Sequence, residues 1–176
     1  LHILSWLAVN GTAAIVEFPG VLYRSGAEQK IRKYLVDNNF VDAVIQLPSD
    51  LFFGTGIATC ILVLKKSKKD NSVLFVDASA EFTRQGNKNK LTAENRHNIL
   101  DAFTTRDDTE YSAKLVANED LAANDYNLSV SAYVQKEDTR EIVNIKELNA
   151  EIESIVARQS QLRNQIDAIV KDLEGN

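Results

Sequence analysis

The residues with the most chemical promise are Phe52-Phe53-Gly54-Thr55-Gly56, set between two apolar runs. A G-x-G stretch followed further on by an acid closing a strand, here Asp77, has the layout of a nucleotide or S-adenosylmethionine loop with its ribose-binding carboxylate. Such a loop must open a helix whose N-terminus faces the charged ligand. Here Ile57-Ala58-Thr59-Cys60-Ile61-Leu62-Val63-Leu64 follows at once, rich in β-formers and too short for a crossover helix. Thr59 also stands where the third glycine belongs. The stretch therefore predicts a tight loop between strands that exposes aromatic side chains.

The next candidates are cations. Lys65, Lys66, Lys68 and Lys69 form a basic run at a predicted hairpin tip, and Arg24 follows Tyr23 at a strand-to-helix loop. Such a run is either a solvated tip or a contact to a phosphate backbone. The single Cys60 lies in an apolar run and reads as core packing. It excludes a disulfide framework and a cysteine zinc site. His2 and His97 are far apart, so no metal site is expected, and His97 reads as a surface residue. No Ser/His/Asp or Cys/His arrangement emerges beyond the presence of those residue types.

These residues must be placed by secondary structure. Residues 1–9 carry Leu1, Leu4 and Ala8 at helical spacing, closed by Asn10-Gly11. Thr12 to Phe18 reads as a buried strand. Gly26 to Asn38 puts Ala27, Ile31, Tyr34 and Leu35 on one helical stripe. Val41 to Leu47 is another strand, so 12–47 predicts a parallel pair with a right-handed crossover. Ala58–Leu64 and Val73–Asp77 are strands joined by a polar connection too short for a helix, which predicts an antiparallel pair. Glu81 to Lys90 reads as polar loop. Thr92 caps a helix to Phe103 with Ile99, Leu100 and Phe103 inward. A short helix starts at Asn118, and Asp125-Tyr126-Asn127-Leu128-Ser129 reads as a structured turn.

The chain has 176 residues, 44% hydrophobic and 26% charged, with net charge −5. That composition supports a packed core and excludes disorder. The acidic balance makes the whole chain a poor stand-alone nucleic-acid binder. No apolar run reaches the roughly 20 residues that span a bilayer, and no secretory leader is present, so a soluble cytoplasmic protein is expected. Leu1 stands inside a helical pattern and Met is absent, which reads as an internal piece of a longer protein. The two prolines, Pro19 and Pro48, are not adjacent.

The strongest periodic signal is the tail. Ile145, Leu148, Ile152, Ile155, Gln159, Leu162, Ile166, Ile169 and Leu173 alternate in steps of three and four. That is a heptad seam, read as a coiled-coil helix with one polar register position at Gln159. Asn144 with Glu147 resembles a capping box. The expected organisation is an α/β unit over 1–134, a charged linker over 135–141 and a docking helix over 142–176. Packing of the helix on its own domain is the alternative.

Residues 11–66 resemble the modification subunit of type I restriction–modification systems. The resemblance lies in Gly11–Val16, Phe18-Pro19-Gly20-Val21-Leu22-Tyr23-Arg24, Glu28–Arg32 and Val44–Pro48. It continues through Leu51–Thr59, Ile61–Lys66, Asp125–Ser129 and the heptad tail. The resemblance implies the C-terminal part of an adenine-N6 DNA methyltransferase, with a mixed α/β sheet ending in an antiparallel hairpin. It implies S-adenosylmethionine in the parent protein, DNA as substrate, and assembly with specificity and restriction subunits. The family's glycine loop and N-P-P-F motif are not in this chain. No catalytic residue, no bound cofactor and no methylation by the chain alone are therefore expected. An edge left where the sheet's first strands belong favours self-association. The resemblance further implies that Phe52, with Phe53 second, contacts an adenine flipped from the duplex. Lys65, Lys66, Lys68, Lys69 and Arg24 remain candidates for the DNA backbone. Two other readings stand beside this one: an assembly module docking on the specificity subunit through the tail, and an independent nucleotide-binding domain built on Gly54-Thr55-Gly56.

Overall fold

The structure, a computed structural model, describes residues 1–136 and 145–174. The chain divides into two units, the first ending at Glu137 and the second starting at Asp138. The 137–144 stretch, which holds most of the expected linker and Asn144 of the expected capping box, lies outside the described residues.

The first unit is a mixed α/β domain. In chain order it contains α1 (His2–Trp6), β1 (Thr12–Glu17), a 3-10 turn (Pro19–Leu22), α2 (Ala27–Asp37), β2 (Val41–Gln46), β3 (Cys60–Lys65) and β4 (Ser72–Asp77). A small hairpin follows, β5 (Thr83–Gln85) and β6 (Lys88–Lys90), then α3 (Ala93–Thr105), β7 (Ala113–Ala117) and α4 (Asn118–Ala123). The main sheet runs in the order β1-β3-β2-β4-β7.

That order corrects the expected pairings. β1 and β2 are each antiparallel to β3, so they run the same way, but β3 lies between them. β4 is antiparallel to β3 in direction, yet pairs in parallel with β2 and antiparallel with β7. The antiparallel hairpin of the sheet is β2–β3, not 58–64 with 73–77. Strand direction was encoded in connection length. Adjacency was not, because the 47–59 connection is long enough to let β3 take either side of β2.

β2 and β4 are buried along nearly their whole length, as central strands covered on both faces must be. Leu22, Leu35, Val36, Val44, Leu62, Phe75, Leu121 and Leu128 pack on one face. Ile45, Leu47, Val63, Leu74 and Val76 pack on the other, beneath Ile99, Ala102 and Phe103 of α3. Leu100, expected inward, is 59% exposed. It lines an apolar groove of about 510 Å3 between α3 and the β1 side of the sheet, with Ala14, Ile61 and Phe103. β1 is an edge strand, paired on one side only among the described residues.

α2 differs from its expected stripe. Arg32, Leu35 and Val36 are buried, while Ile31 and Tyr34 are 39% and 49% exposed. The buried face is turned by one residue because Arg32 points inward. Its Nε donates to the Tyr126 carbonyl at 2.8 Å and its Nη1 to the Val21 carbonyl at 2.9 Å. Burial lowers the Arg32 pKa, opposed by Glu28, but guanidinium basicity is high enough to keep the charge. The cation thereby ties α2 to the 3-10 turn and to Asp125-Tyr126, both held at positive φ. Two left-handed non-glycine residues in succession cost roughly 1–2 kcal/mol each, offset by these charge-assisted bonds.

In the second unit the described residues form one helix, α5 (Ile145–Glu174), of 30 residues. Glu147 in its first turn and Lys171 in its last both complement the helix dipole. No helix among the described residues is long and apolar enough to cross a membrane.

Cys60 is fully buried at the start of β3, its Sγ 3.4 Å from the Glu17 carbonyl. Burial pushes its thiol up to about 11 from an ordinary 9.0. The native state thus holds the thiol's proton more tightly than the unfolded chain does. The corresponding stability is present below pH 9 and is lost as pH rises through about 11. Relative to Cys60→Ala, the wild-type chain should lose stability from pH 9 to 11, as measured by urea melts. Native Cys60 should also resist iodoacetamide at pH 8 until the sheet unfolds.

Candidate functional site

The site grows from the connection between β2 and β3. Its base is closed where the Leu47 amide donates to the Thr59 carbonyl at 2.9 Å and the Gln46 side chain donates to the same carbonyl at 3.0 Å. Pro48 is buried beside this base. Beyond it the chain leaves the sheet and turns sharply at Asp50, φ +56, and Gly54, φ +75. A side chain at Gly54 would meet no neighbour, so glycine serves backbone conformation there.

Between these turns stand the aromatic residues. Phe52 is 43% exposed and Phe53 97% exposed. Neither belongs to the apolar clusters that fill the domain. Gly54-Thr55-Gly56 opens no helix and runs on to β3. The Asp77 carboxylate accepts from the Ser79 amide at 2.9 Å, within its own turn. The Gly54–Gly56 stretch and Asp77 thus do not form, among the described residues, the nucleotide or S-adenosylmethionine cradle that their spacing suggests. No metal-ligand cluster exists among them either.

The loop is held from outside by the β5–β6 hairpin. This element was expected as loop, because its strands are three residues long and polar. Its one sequence signal is Gly86-Asn87 between two short runs: Gly86, φ +60, opens a two-residue hairpin loop. Lys88 Nζ donates to the Phe52 carbonyl at 2.9 Å and the Thr55 carbonyl at 3.2 Å, spanning the turn that carries both phenylalanines. Buried Asn89 donates its amide to the Asp50 carbonyl at 3.1 Å and its side chain to the Ser49 carbonyl at 2.9 Å. Arg84 pairs with Asp50 at 3.3 Å and also reaches the Asn89 side-chain oxygen at 3.0 Å. Lys88, Asn89 and Arg84 are the site residues that sequence reasoning missed.

The expected lysines lie at and after the end of β3 away from this loop, which joins the strand at Cys60. Lys66 donates to the Leu7 carbonyl at 2.6 Å. Lys68 is turned inward, with a side chain only 1% exposed. Its ammonium donates to the Val41 carbonyl at 2.7 Å and to the Ser72 carbonyl, and lies 3.6 Å from Asp70. Burial lowers its pKa, opposed by Asp70 and Asp42. This cation closes the β3–β4 connection on itself and is not available to a phosphate. Lys65 is half-buried and Lys69 exposed. Arg24 lies over Gly20, 3.9 Å from Glu28. His97 is exposed on α3.

On α5, taken by itself, the seam residues Ile145, Leu148, Ile152, Ile155, Leu162, Ile166, Ile169 and Leu173 are all exposed, from 45% to 75%, and Gln159 is exposed among them. Val156 and Val170, also exposed, widen the apolar stripe beyond the heptad positions.

Comparison with known proteins gives consistent results. Residues 1–142 match the model of the N-6 DNA Methylase family. A type I restriction enzyme MpnII methylase subunit of Mycoplasma pneumoniae is 49% identical over 99% of this chain and 32% of its own length. The MjaVII methylase subunit of Methanocaldococcus jannaschii is 31% identical over 92% of this chain and 28% of its own. This chain thus spans about a third of the curated relatives it matches. Among solved structures, a type I methyltransferase subunit from Streptococcus thermophilus superposes with TM-score 0.74 at 40% identity, covering 76% of this chain and 29% of that one. The EcoKI M protein shares the fold, with TM-score 0.62 at 17% identity over 94% of this chain and 43% of that one.

The buried position of Lys68 separates it from its neighbour in the run. Lys68→Met, which strands two carbonyls and Asp70, should lower stability by about 2–4 kcal/mol. Lys69→Gln should change it by less than about 0.5 kcal/mol. Urea denaturation of both variants checks the contrast.

Proposed function

This chain belongs to the N-6 DNA methylase family, among the methylase subunits of type I restriction–modification systems, and on that premise we propose that its 48–59 loop captures an adenine extruded from DNA. The observation that carries this reading is the presentation of Phe52 and Phe53. Two aromatic side chains stand outside the core on a turn whose carbonyls are held by a lysine from another element. Leaving large apolar rings in water costs stability that packing would have returned. A flipped base offers a flat partner of matching size, and stacking on one base contributes roughly 1–3 kcal/mol. Phe52, with part of its surface rooted in the loop, is the stacking residue. Phe53, at the tip, flanks it.

In this reading the whole protein transfers methyl from S-adenosylmethionine to N6 of the captured adenine. We assign the cofactor to parts of that protein outside this chain, which spans about a third of its curated relatives and whose Gly54–Gly56 loop opens no helix. This chain contributes the pocket wall that orients the base, and it does not methylate alone.

α5 serves assembly. A helix of about 45 Å at 1.5 Å per residue, apolar along one stripe, requires a partner surface. We assign that surface to helices of the specificity subunit, packed as a bundle with Ile145, Leu148, Ile152, Ile155, Gln159, Leu162, Ile166, Ile169 and Leu173 inward. The restriction subunit joins the same complex. Without these partners the seam pairs with a second copy.

Two measurements test the parts separately. Phe52→Ala in the full-length subunit should lower methylation of target DNA at least tenfold while shifting the thermal midpoint by less than about 2 °C, in line with the stacking energy. An equal loss of stability would mark Phe52 as a packing residue. Ile155→Asp with Leu162→Asp should abolish co-purification with the specificity subunit while leaving the circular dichroism of the α/β unit unchanged.

A further inference from the structure

The lysine run at 65–69 begins at the end of β3 opposite to the aromatic loop, which joins that strand at Cys60, so cations for a DNA backbone beside the loop must come from elsewhere. A different group supplies them. The β5–β6 hairpin and the start of α3 enclose a hollow of about 710 Å3 whose lining includes Thr83, Arg84, Lys90, Thr92 and Arg96. Three of its lining residues are cationic and none is acidic, in a chain whose net charge is −5. Arg84 is already engaged with Asp50. Lys90 and Arg96 are exposed and have no acidic partner among the described residues.

Position gives the hollow its meaning. Lys90 lies two residues from Lys88 on the same short strand, and Lys88 grips the turn carrying Phe52 and Phe53. The hairpin that holds the aromatic loop therefore also carries Lys90, and α3 brings Arg96 to the other side of the hollow. A flipped base remains bonded to its own strand, so the phosphates on either side of it must pass close to the stacking residue. Lys90, on that hairpin, is placed to meet them, with Arg96 of α3 lining the same hollow. Thr83, opposite Lys90 in the hairpin register, adds a hydroxyl that can donate to a phosphate oxygen.

We infer that the hollow between the β5–β6 hairpin and α3 is a DNA phosphate-contact surface, in which Lys90 and Arg96 bind the backbone beside the extruded adenine. The inference rests on the base-capture reading of the 48–59 loop.

The test uses the full-length methylase subunit assembled with its specificity subunit, and a fluorescent duplex carrying the target sequence. Affinity is measured by anisotropy across a range of KCl concentrations. Each phosphate neutralised by a protein cation contributes about 0.9 to the slope of log affinity against log salt. Lys90→Gln with Arg96→Gln should lower the slope by about 1.8. Exchanging the two charges, Lys90→Arg with Arg96→Lys, should keep the slope. Lys65→Gln with Lys69→Gln should also leave it unchanged. An unchanged slope in the Gln pair, in a protein of wild-type thermal midpoint, overturns the inference. So does an equal fall in the Lys65/Lys69 pair. The base-capture reading is scored independently: it fails if Phe52→Ala methylates normally, whatever the salt slope.

Discussion

The architecture depends on β3 lying between two strands that run opposite to it. With β1 and β2 parallel in direction and β3 antiparallel between them, the chain leaving β2 must reverse within one connection at the carboxyl end of β2. The Leu47–Thr59 bond closes that reversal. Because β4 is parallel to β2, with Asp77 opposite Gln46, the segment after β4 emerges at the same end. The Ala78 amide bonds to the Gln46 carbonyl at 2.9 Å where the two meet. The aromatic loop and the hairpin that grips it are thus neighbours by topology. Carboxyl ends of parallel strands are where open α/β sheets place their ligands.

Given that placement, the hairpin's hold on the loop is a matter of backbone hydrogen bonding. A loop outside the sheet leaves carbonyls to water or to side chains. Here Ser49, Asp50, Phe52 and Thr55 each give a carbonyl to Lys88 or Asn89. A charge-assisted bond contributes roughly 1.5–3 kcal/mol, against about 1 kcal/mol for a neutral one. The turn carrying Phe52 and Phe53 is therefore held by the domain itself, and a ligand binding there would not have to supply its ordering entropy.

What the sequence revealed followed the strength of the periodic signal. The strands at 12–17, 41–46, 60–65 and 72–77, the capped helix after Thr92 and the tail helix were legible, because apolar period and capping chemistry are local. The exposed aromatic loop was legible too, from glycines followed at once by β-formers. Three things were not. The place of β3 between β1 and β2 is a long-range choice that connection length does not encode. Arg32 and Lys68 are charged residues with buried ends, and any pattern that treats charge as surface places them outside. The β5–β6 hairpin is polar and three residues per strand, so its only advertisement was a single Gly-Asn pair. The first of these moved the hairpin of the sheet. The second removed Lys68 from the surface cations. The third hid the residues that support the loop.

α3 rests lightly on the domain. None of its residues is fully buried, and it touches the sheet through Ile99, Ala102 and Phe103. Its ends are held by polar contacts instead: Thr92 and Asn95 cap each other, Asn95 and Asn98 reach Glu81, and Arg106 meets Asp42 at 3.2 Å. Elements with few buried apolar contacts open locally at a small fraction of the global unfolding free energy. The helix is therefore expected to open while the sheet beneath stays folded, with its amide protons exchanging faster than those of the sheet. Arg96 and Leu100 travel with it, whereas the turn held by Lys88 does not. The domain thus combines a fixed aromatic edge with an adjustable wall, two stability regimes side by side on one sheet.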